Sequence, residues 1–577
     1  MRGMTLAAGL ILALLMAGAP RRVPPGRGPE PPAGTRGPEP PRLYVETSPV
    51  PATGRTLAVR SGGDFQGALD SARPGDVITL EAGAVFRGPF TLPQKSGADW
   101  IVIRTSASDA ELPPAGTRID PSFAGLMPRL EATSGAVIEA DRGAHHYRFV
   151  GVEIRPAEGS FLFNLVLLGS TETSAGQQPH HIIFDRCYLH GDPLRGTRRG
   201  IALNSQFTAV VDSYLSDFKE VGADSQAIGG WNGPGPFKIV NNYLEGAGEN
   251  VMFGGAAPSI DQLVPSDIEI RRNHFFKPVS WKIGDVSYQG TPWTIKNLFE
   301  LKNARRVLIE GNLFENNWAA AQNGFGILLT VRTELDAAPW AVVEDVTFVS
   351  NIVRRTASGF NILGVDDSSP SRNGRTRFVR VANNLFTDVS AAGQGGSGTL
   401  FQILNGASGL TIEHNTALHD GPVISADLLP SGGLVFQNNI VEHNEYGVFG
   451  SGKGIGLPAL DYYFPGYVFR RNVLVGLAGV RPYPSDNFYP ASLAAVGFVD
   501  LGGGDYRLSG ASAYRRAATD GADVGADFKA LSAATGQGTA VMAPGAPDRQ
   551  RRKRGAIEPK PGGDVRTGAE SGAGADE

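Results

Sequence analysis

Eleven short segments of this sequence share one frame, and the central position of that frame is Asn in eight of them. Examples are HYRFVGVEI, HIIFDRCYLH, FKIVNNYLE, VLIEGNLFE, LTIEHNTAL and YVFRRNVLV. The central positions are Val152, Cys187, Ser213, Asn242, Asn273, Asn312, Asn351, Asn384, Asn415, Asn439 and Asn472. An apolar residue stands three before each centre (Phe149 through Phe469) and another two after it (Ile154 through Leu474). Successive centres are 24 to 39 residues apart, so a fixed unit is joined by connections of variable length. The apolar–polar alternation predicts strands, and helical periodicity is nearly absent. Many short strands at such a period predict a coil in which each turn stacks on the one before. Asn suits the corner of such a turn, because it tolerates the left-handed backbone and its amide can bond to the next turn as a ladder. Eleven turns at strand spacing predict a rod of roughly 50 Å.

A solenoid needs closed ends. The segment 64–86, DFQGALDSARPGDVITLEAGAVF, carries a short helical pattern followed by a strand, and is the expected N-terminal cap. Residues 502–527, rich in Gly and Asp, read as a loop-rich C-terminal closure. Outside the repeats, residues 1–19 combine a basic start with the apolar run TLAAGLILALLMAGA and end on Ala17-Gly18-Ala19. That pattern predicts a secretory signal peptide, so the protein is expected to be secreted or periplasmic. Left uncleaved, the same run would act as an N-terminal anchor, and no other stretch is long and apolar enough to span a bilayer. Residues 20–54 are Pro-rich and expected to form a disordered linker. The repeat domain is expected over 55–530 and a disordered tail over 531–577. The formal charge of −4 gives no reason to expect nucleic acid as a partner. The single cysteine, Cys187, excludes an intrachain disulfide framework and a Cys-based zinc site.

The Asn-corner repeat, the opening ALDSARPGDVITL and the ending DYRLSGASAY…DGADVGAD resemble secreted bacterial right-handed parallel β-helix proteins of the pectate-lyase-like superfamily. The resemblance spans roughly residues 55–530 and implies an all-β, right-handed parallel β-helix with capped ends. It leaves function open, since lyases, hydrolases and non-catalytic binding proteins share this fold.

The tetrapeptide NLFE occurs twice, at Asn297 and at Asn312. The second copy sits in the repeat frame, with Asn312 at the corner and Phe314 inward. The first lies on a strand where Phe299 and Leu301 alternate inward, which turns Glu300 and Lys302 outward. On the following strand, GFGILLTVR, Phe325, Ile327, Leu329 and Val331 point inward and Arg332 outward, so Lys302 and Arg332 are expected on adjacent turns. A Glu–Lys pair followed by Arg is similar to the arrangement in β-helix alginate and chondroitin lyases. That resemblance implies Lys302 as base, Arg332 as acid or carboxylate binder, and Glu300 as a calcium ligand. Such an enzyme removes the C5 proton of a uronate and expels the C4 substituent, and must stabilise an enolate beside a carboxylate. The expected partner is therefore an acidic polysaccharide.

Sugar rings stack on aromatic faces, and long insertions in repeat folds lie on the binding side. The insertion 277–293 brings Trp281, Tyr288 and Trp293 near the Lys302 strand; with Trp231, Asn232, Gln402 and Asn405 these are the candidate substrate-binding residues. Packing the insertion onto the coil would account for its aromatics equally well. The pairs His145-His146 and His180-His181 lie at strand starts, and no His/Asp/Glu spacing matches a known transition-metal motif. The sequence thus points to a monomeric, polysaccharide-recognising β-helix. A uronate lyase is the leading enzymatic reading, a non-catalytic carbohydrate-binding or surface protein its rival, and a glycoside hydrolase third.

Overall fold

The computed structural model of the chain describes residues 36–49, 51–477, 479 and 482–536. The expected signal peptide at 1–19 lies outside them. The chain winds as a right-handed parallel β-helix whose turns build three long sheets of 14, 13 and 13 strands. The first sheet runs from Thr56–Val59 to Val468–Arg470, and the second, which follows each corner, from Val85–Arg87 to Val473–Val475. The third begins at Phe90–Leu92 and ends at Val448–Gly450, to which Gly454–Ile455 adds an antiparallel edge. Within the coil, side chains in register stack on those of the next turn. Phe149 and Phe184 lie 5.1 Å apart, Phe275 and Phe314 4.3 Å, and Phe436 and Phe469 5.1 Å between ring centres. Every position three before and two after a corner is buried, as the alternation predicted.

The corner residues form a continuous ladder. The Asn242 backbone N–H and its Nδ2 both donate to Asn273 Oδ1, at 2.9 and 3.0 Å, and Nδ2 also donates to Val210 O at 2.8 Å. The same trio repeats at Asn273, Asn312, Asn351, Asn384, Asn415 and Asn439. Asn472 extends it to Asn487, a rung outside the sequence frame. Toward the N-terminal end smaller groups take over. Ser213 Oγ accepts from Cys187 N at 3.0 Å, and the buried Cys187 thiol donates to Phe149 O at 3.6 Å, where an amide would otherwise donate. Burial pushes that thiol up to about 12.

One detail differs from expectation. The left-handed residue is the one preceding the corner Asn: Asn241, Arg272, Ser350, Asn383, His414, Asn438 and Arg471 have φ between 52 and 60°, and Asp212 (φ 54°) stands likewise before the corner Ser213. Each such non-Gly residue costs roughly 1 kcal/mol or more, which the ladder bonds of the following Asn offset. At Gly311 (φ 68°) a side chain is also excluded by space, because a Cβ would lie 2.4 Å from Ala534 O.

The N-terminal end is covered by the helix Phe65–Ser71, whose cap Asp64 accepts from Gly67 N and whose Phe65 and Leu69 are buried. The other end is covered by the helix Leu457–Tyr463. The closing segment then returns along the outside of the coil: Gly525 N donates to Asn438 O, Ala526 N to Thr416 Oγ1 and Asp527 N to Asn383 Oδ1. It ends in the helix Phe528–Thr535, which buries Leu531 against Leu313, Ile352 and Leu385. The boundary expected at residue 531 therefore falls inside a packed helix.

The expectation of an unpacked linker over 20–54 fails for residues 36–49, which lie across the outer face of the first sheet. Arg36 pairs with Asp345, Arg42 N donates to Asp267 Oδ1, Val45 packs on Ile183, Ala209 and Val211, and Arg148 donates to Thr47 O and Ser48 O. Charged side chains of the sheet, bonding to the strap's own backbone donors and carbonyls, supply what the Pro-rich strap cannot supply by its own packing. No helix among the described residues is long and apolar enough to cross a membrane.

Replacing Asn312 with Ala leaves the backbone donor of Asn273 and the carbonyl of Ile270 without these partners in a dry interior. The expected loss is about 2–4 kcal/mol, seen as a lower urea midpoint, whereas Asn241→Ala, half-buried beside the ladder, costs less.

Candidate functional site

The third sheet sets the geometry of the candidate site. Its register pairs Met252 with Glu300, Glu300 with Leu328, Leu328 with Asn361, and Asn361 with Gln402, so these residues form one outward file. The file beside it follows each strand's last inward residue: Trp231 after Gly230, Gly254 after Phe253, Lys302 after Leu301 and Thr330 after Leu329. A Cβ on Gly254 would meet Lys302 Cβ at 2.9 Å and Asn303 N at 2.7 Å, so Gly is required for Lys302 to take its place. Arg332 N donates to Lys302 O at 3.0 Å, which fixes the two cations on neighbouring turns.

Glu300, Lys302, Leu328, Thr330, Arg332 and Asn361 share an open cleft of about 400 Å³, walled also by Gln322 and Asn323 of the loop before the Phe325–Thr330 strand. Lys302 Nζ lies 3.7 Å from Glu300 Oε1, with 18% of its side chain exposed. Arg332, 33% exposed, is held by Asp366 at 2.9 Å and Asp367 at 3.0 Å. Burial alone would raise the Asp366 carboxyl, but donors from Ser368 and Thr333, and then Arg332, outweigh it and bring it down to about 2. Arg332 is therefore oriented by a carboxylate that stays ionised far into acid. Glu300 is buried and accepts from Thr330 Oγ1 and Asn297 Nδ2, each at 3.1 Å.

A larger cavity, about 650 Å³, lies between the returning C-terminal segment and the coil. In it His414 pairs with Asp520 at 3.2 Å, while Arg380 and Arg507 pair with Glu413 and Asp505 beside it, and it holds none of the candidate residues.

Next to the cleft a polar network continues along the sheet. Arg199 Nε donates to Gln226 Oε1 at 3.0 Å, and Gln226 Nε2 to Glu249 Oε2 at 2.8 Å. Lys296 bridges Glu249 at 2.9 Å and Asp224 at 2.6 Å. Burial pushes the Glu249 carboxyl above the usual range, the Glu300 charge adds to this, and Lys296 opposes it. Burial also brings the Lys277 ammonium down to about 7; it donates to the carbonyls of Gly246, Ala247 and Gly248. The linear sequence does not single out Arg199, Lys296, Thr330 or Asn361. Asn361 stands in the Glu300 file, Thr330 in the Lys302 file and Arg199 in the Gln226–Glu249 file, placements that a single strand does not display.

The aromatic expectation divides. Trp231 is half-buried, with the Arg199 guanidinium 4.9 Å from its ring, and lies in the file of Lys302 two turns earlier. Tyr288 is partly exposed on the insertion. Trp281 and Trp293 are only 3% and 8% exposed and clamp the buried Lys219 ammonium at 5.2 and 5.1 Å. With Trp318 and Ile295 they anchor the insertion to the coil, so neither offers a face for stacking. Asn232 is buried and donates to Ser170 O and Glu172 O, and Asn405 (φ 56°) donates to Val365 O. Both are structural. Gln402 is partly exposed at the far end of the Glu300 file.

Glu300 is the single carboxylate lining the cleft among the described residues, and both its oxygens already accept hydrogen bonds. Calcium takes about six to eight oxygen ligands, so the calcium role implied for Glu300 does not fit this arrangement. Among the described residues the one group of three His, Cys, Asp or Glu side chains close enough to share a metal is His145, His146 and His180.

No protein-family model and no curated protein matches this sequence. Solved structures with a similar trace include an alginate lyase from Paenibacillus sp. str. FPU-7, at 14% identity over 72% of this chain and 99% of that one, with a TM-score of 0.27. A mannuronic acid specific polysaccharide family 6 lyase from human gut microbiota matches at 11%, over 76% and 84%, with a TM-score of 0.41. The catalytic unit of a GH87 alpha-1,3-glucanase from Streptomyces thermodiastaticus strain HF3-3 matches at 12%, over 77% and 72%, with a TM-score of 0.45. Identities of this size speak to the fold alone.

Trp293→Ala is expected to cost about 3–5 kcal/mol by opening the aromatic clamp on Lys219. Trp231→Ala, at the surface, is expected to cost about 1 kcal/mol or less. Thermal unfolding of the two variants checks the assignment of one to packing and the other to the open face.

Proposed function

We propose that the protein is a secreted polysaccharide-active enzyme that cleaves a uronate-containing chain by β-elimination in the Lys302–Arg332 cleft. The observation that carries this reading is the placement of two cationic side chains on adjacent turns in one open cleft, lined besides by Glu300 and by the neutral hydrogen-bonding groups of Gln322, Asn323, Thr330 and Asn361. In the proposed reaction Lys302 takes the proton from C5, the C5–H electron pair becomes the C4–C5 double bond, and the C4–O bond breaks with its electron pair on the leaving oxygen, to which Lys302 then returns the proton. Arg332, held by Asp366 and Asp367, faces the uronate carboxylate and stabilises the charge that gathers there as the enolate forms. Thr330, Asn361 and Gln322 supply polar contacts for sugar hydroxyls. No step is assigned to calcium.

A hydrolase needs two carboxylates about 5–10 Å apart across the bond to be broken, and Glu300 is the single carboxylate lining this cleft among the described residues. A binding protein would use the same polar walls without proton transfer.

The test is the ultraviolet absorbance of the unsaturated product with a panel of uronate polymers. Activity is expected to persist in chelator and to fall roughly 10²-fold or more in Lys302→Ala and in Arg332→Ala. A flat trace with retained binding in affinity electrophoresis would replace the enzyme with a carbohydrate-binding protein. New reducing ends without the unsaturated chromophore would indicate a hydrolase.

A further inference from the structure

Far from the cleft, the sheet register builds a cluster that no single stretch of sequence shows. The strands His145–Val150 and His180–Asp185 pair in parallel with His180 opposite His145, so two His-His dipeptides stack on consecutive turns. The rings of His145 and His180 are stacked at 4.7 Å, and those of His146 and His181 at 4.5 Å, each pair within 6° of parallel. Within each dipeptide the two Nδ1 atoms are 2.7 Å apart. That contact is made possible by the left-handed backbone of His146 (φ 58°) and His181 (φ 54°), which turns the second ring back toward the first.

The other five histidines of the chain bond to groups outside any such cluster. His190 meets Glu153, His274 meets Glu315, His414 meets Asn438, His419 meets Asn444 and His443 meets Tyr483. The four clustered rings have only one another as hydrogen-bond partners among the described residues. All are half-buried, open to solvent on one side and backed by Trp100 and Phe207.

We propose that this cluster is a binding site for a divalent transition-metal ion, held by imidazole nitrogens of His145, His146 and His180, with His181 beside them. Potential ligand atoms of the three lie within 4.8 Å of one another. A tetrahedral zinc site with Zn–N bonds of about 2.0–2.1 Å sets its nitrogens about 3.3 Å apart. Binding opens the His145–His146 Nδ1 pair to that spacing and tilts the stacked His145 and His180 rings out of parallel, so that their in-plane lone pairs converge on one ion. An all-imidazole set selects zinc, copper or nickel over calcium and magnesium. Because its ligands come from two turns, the ion would staple them and stabilise the folded chain.

The test uses untagged full-length protein stripped with chelator and then dialysed against zinc or copper salt alone. One tightly held ion per chain is expected, with a rise in melting temperature and with nitrogen superhyperfine structure in the copper electron-spin resonance spectrum. His145→Asn with His180→Asn should weaken binding at least tenfold, while His414→Asn should leave it unchanged. Copper bound without nitrogen couplings, or a double variant binding as tightly as the parent, would overturn the proposal. The spectrum of the unmodified protein decides the matter even if the double variant does not fold.

Discussion

The buried amide ladder is the constraint on which everything else in this molecule rests. At each corner the chain leaves one sheet for the next, and backbone groups there would face a dry interior without partners. One Asn per turn answers this by taking a backbone N–H of the turn before it and returning two donors. Because each amide needs the next one in register, the ladder fixes how far every turn is rotated relative to its neighbour. Variable connections can then loop out of the coil without disturbing the stack, which is why the centres are spaced from 24 to 39 residues.

The cleft inherits its precision from that register. In a strand a slip of one residue exchanges the inward and outward faces, and would exchange Glu300 with Leu301 and bury Lys302. Phe299 and Leu301 stack under Val251 and Phe253 and over Ile327 and Leu329, so the outward residues are placed by the packing of the inward ones. Gly254 leaves the gap that Lys302 needs, and Asp366 with Asp367 sets Arg332 from the turn beyond.

Much of this was legible in the linear text because the fold is periodic. The corner Asn residues, the inward Phe and Val positions and the outward placement of Glu300, Lys302 and Arg332 follow from alternation counted along single strands. What was not legible depends on stacking between distant segments. Trp281 and Trp293 look like exposed loop aromatics until Lys219, some sixty residues earlier or more, is seen between them. The two His-His pairs are 35 positions apart and meet only because the strands pair His145 with His180. Asn232 and Asn405 read as surface polar groups at strand ends, yet their amides serve backbone carbonyls that the turns leave unpaired. The Pro-rich strap misled for a related reason: composition reports what a segment can bury by itself, and this one is held by donors and charges belonging to the sheet.

That strap also decides where the rod is gripped. Residue 36 lies by Asp345 and Phe378, well along the coil, while residues 47 and 48 lie by Arg148, six turns from Asp345 and seven from Phe378 toward the N-terminal cap. A pull transmitted through residue 36 therefore enters the rod on its flank and not at its tip. The load reaches the strap's contacts one after another, beginning with Arg36 and Asp345, so the strap peels as a zipper would. Each turn beneath the strap bears the force only while its own contact holds, and Arg148 is the last of these.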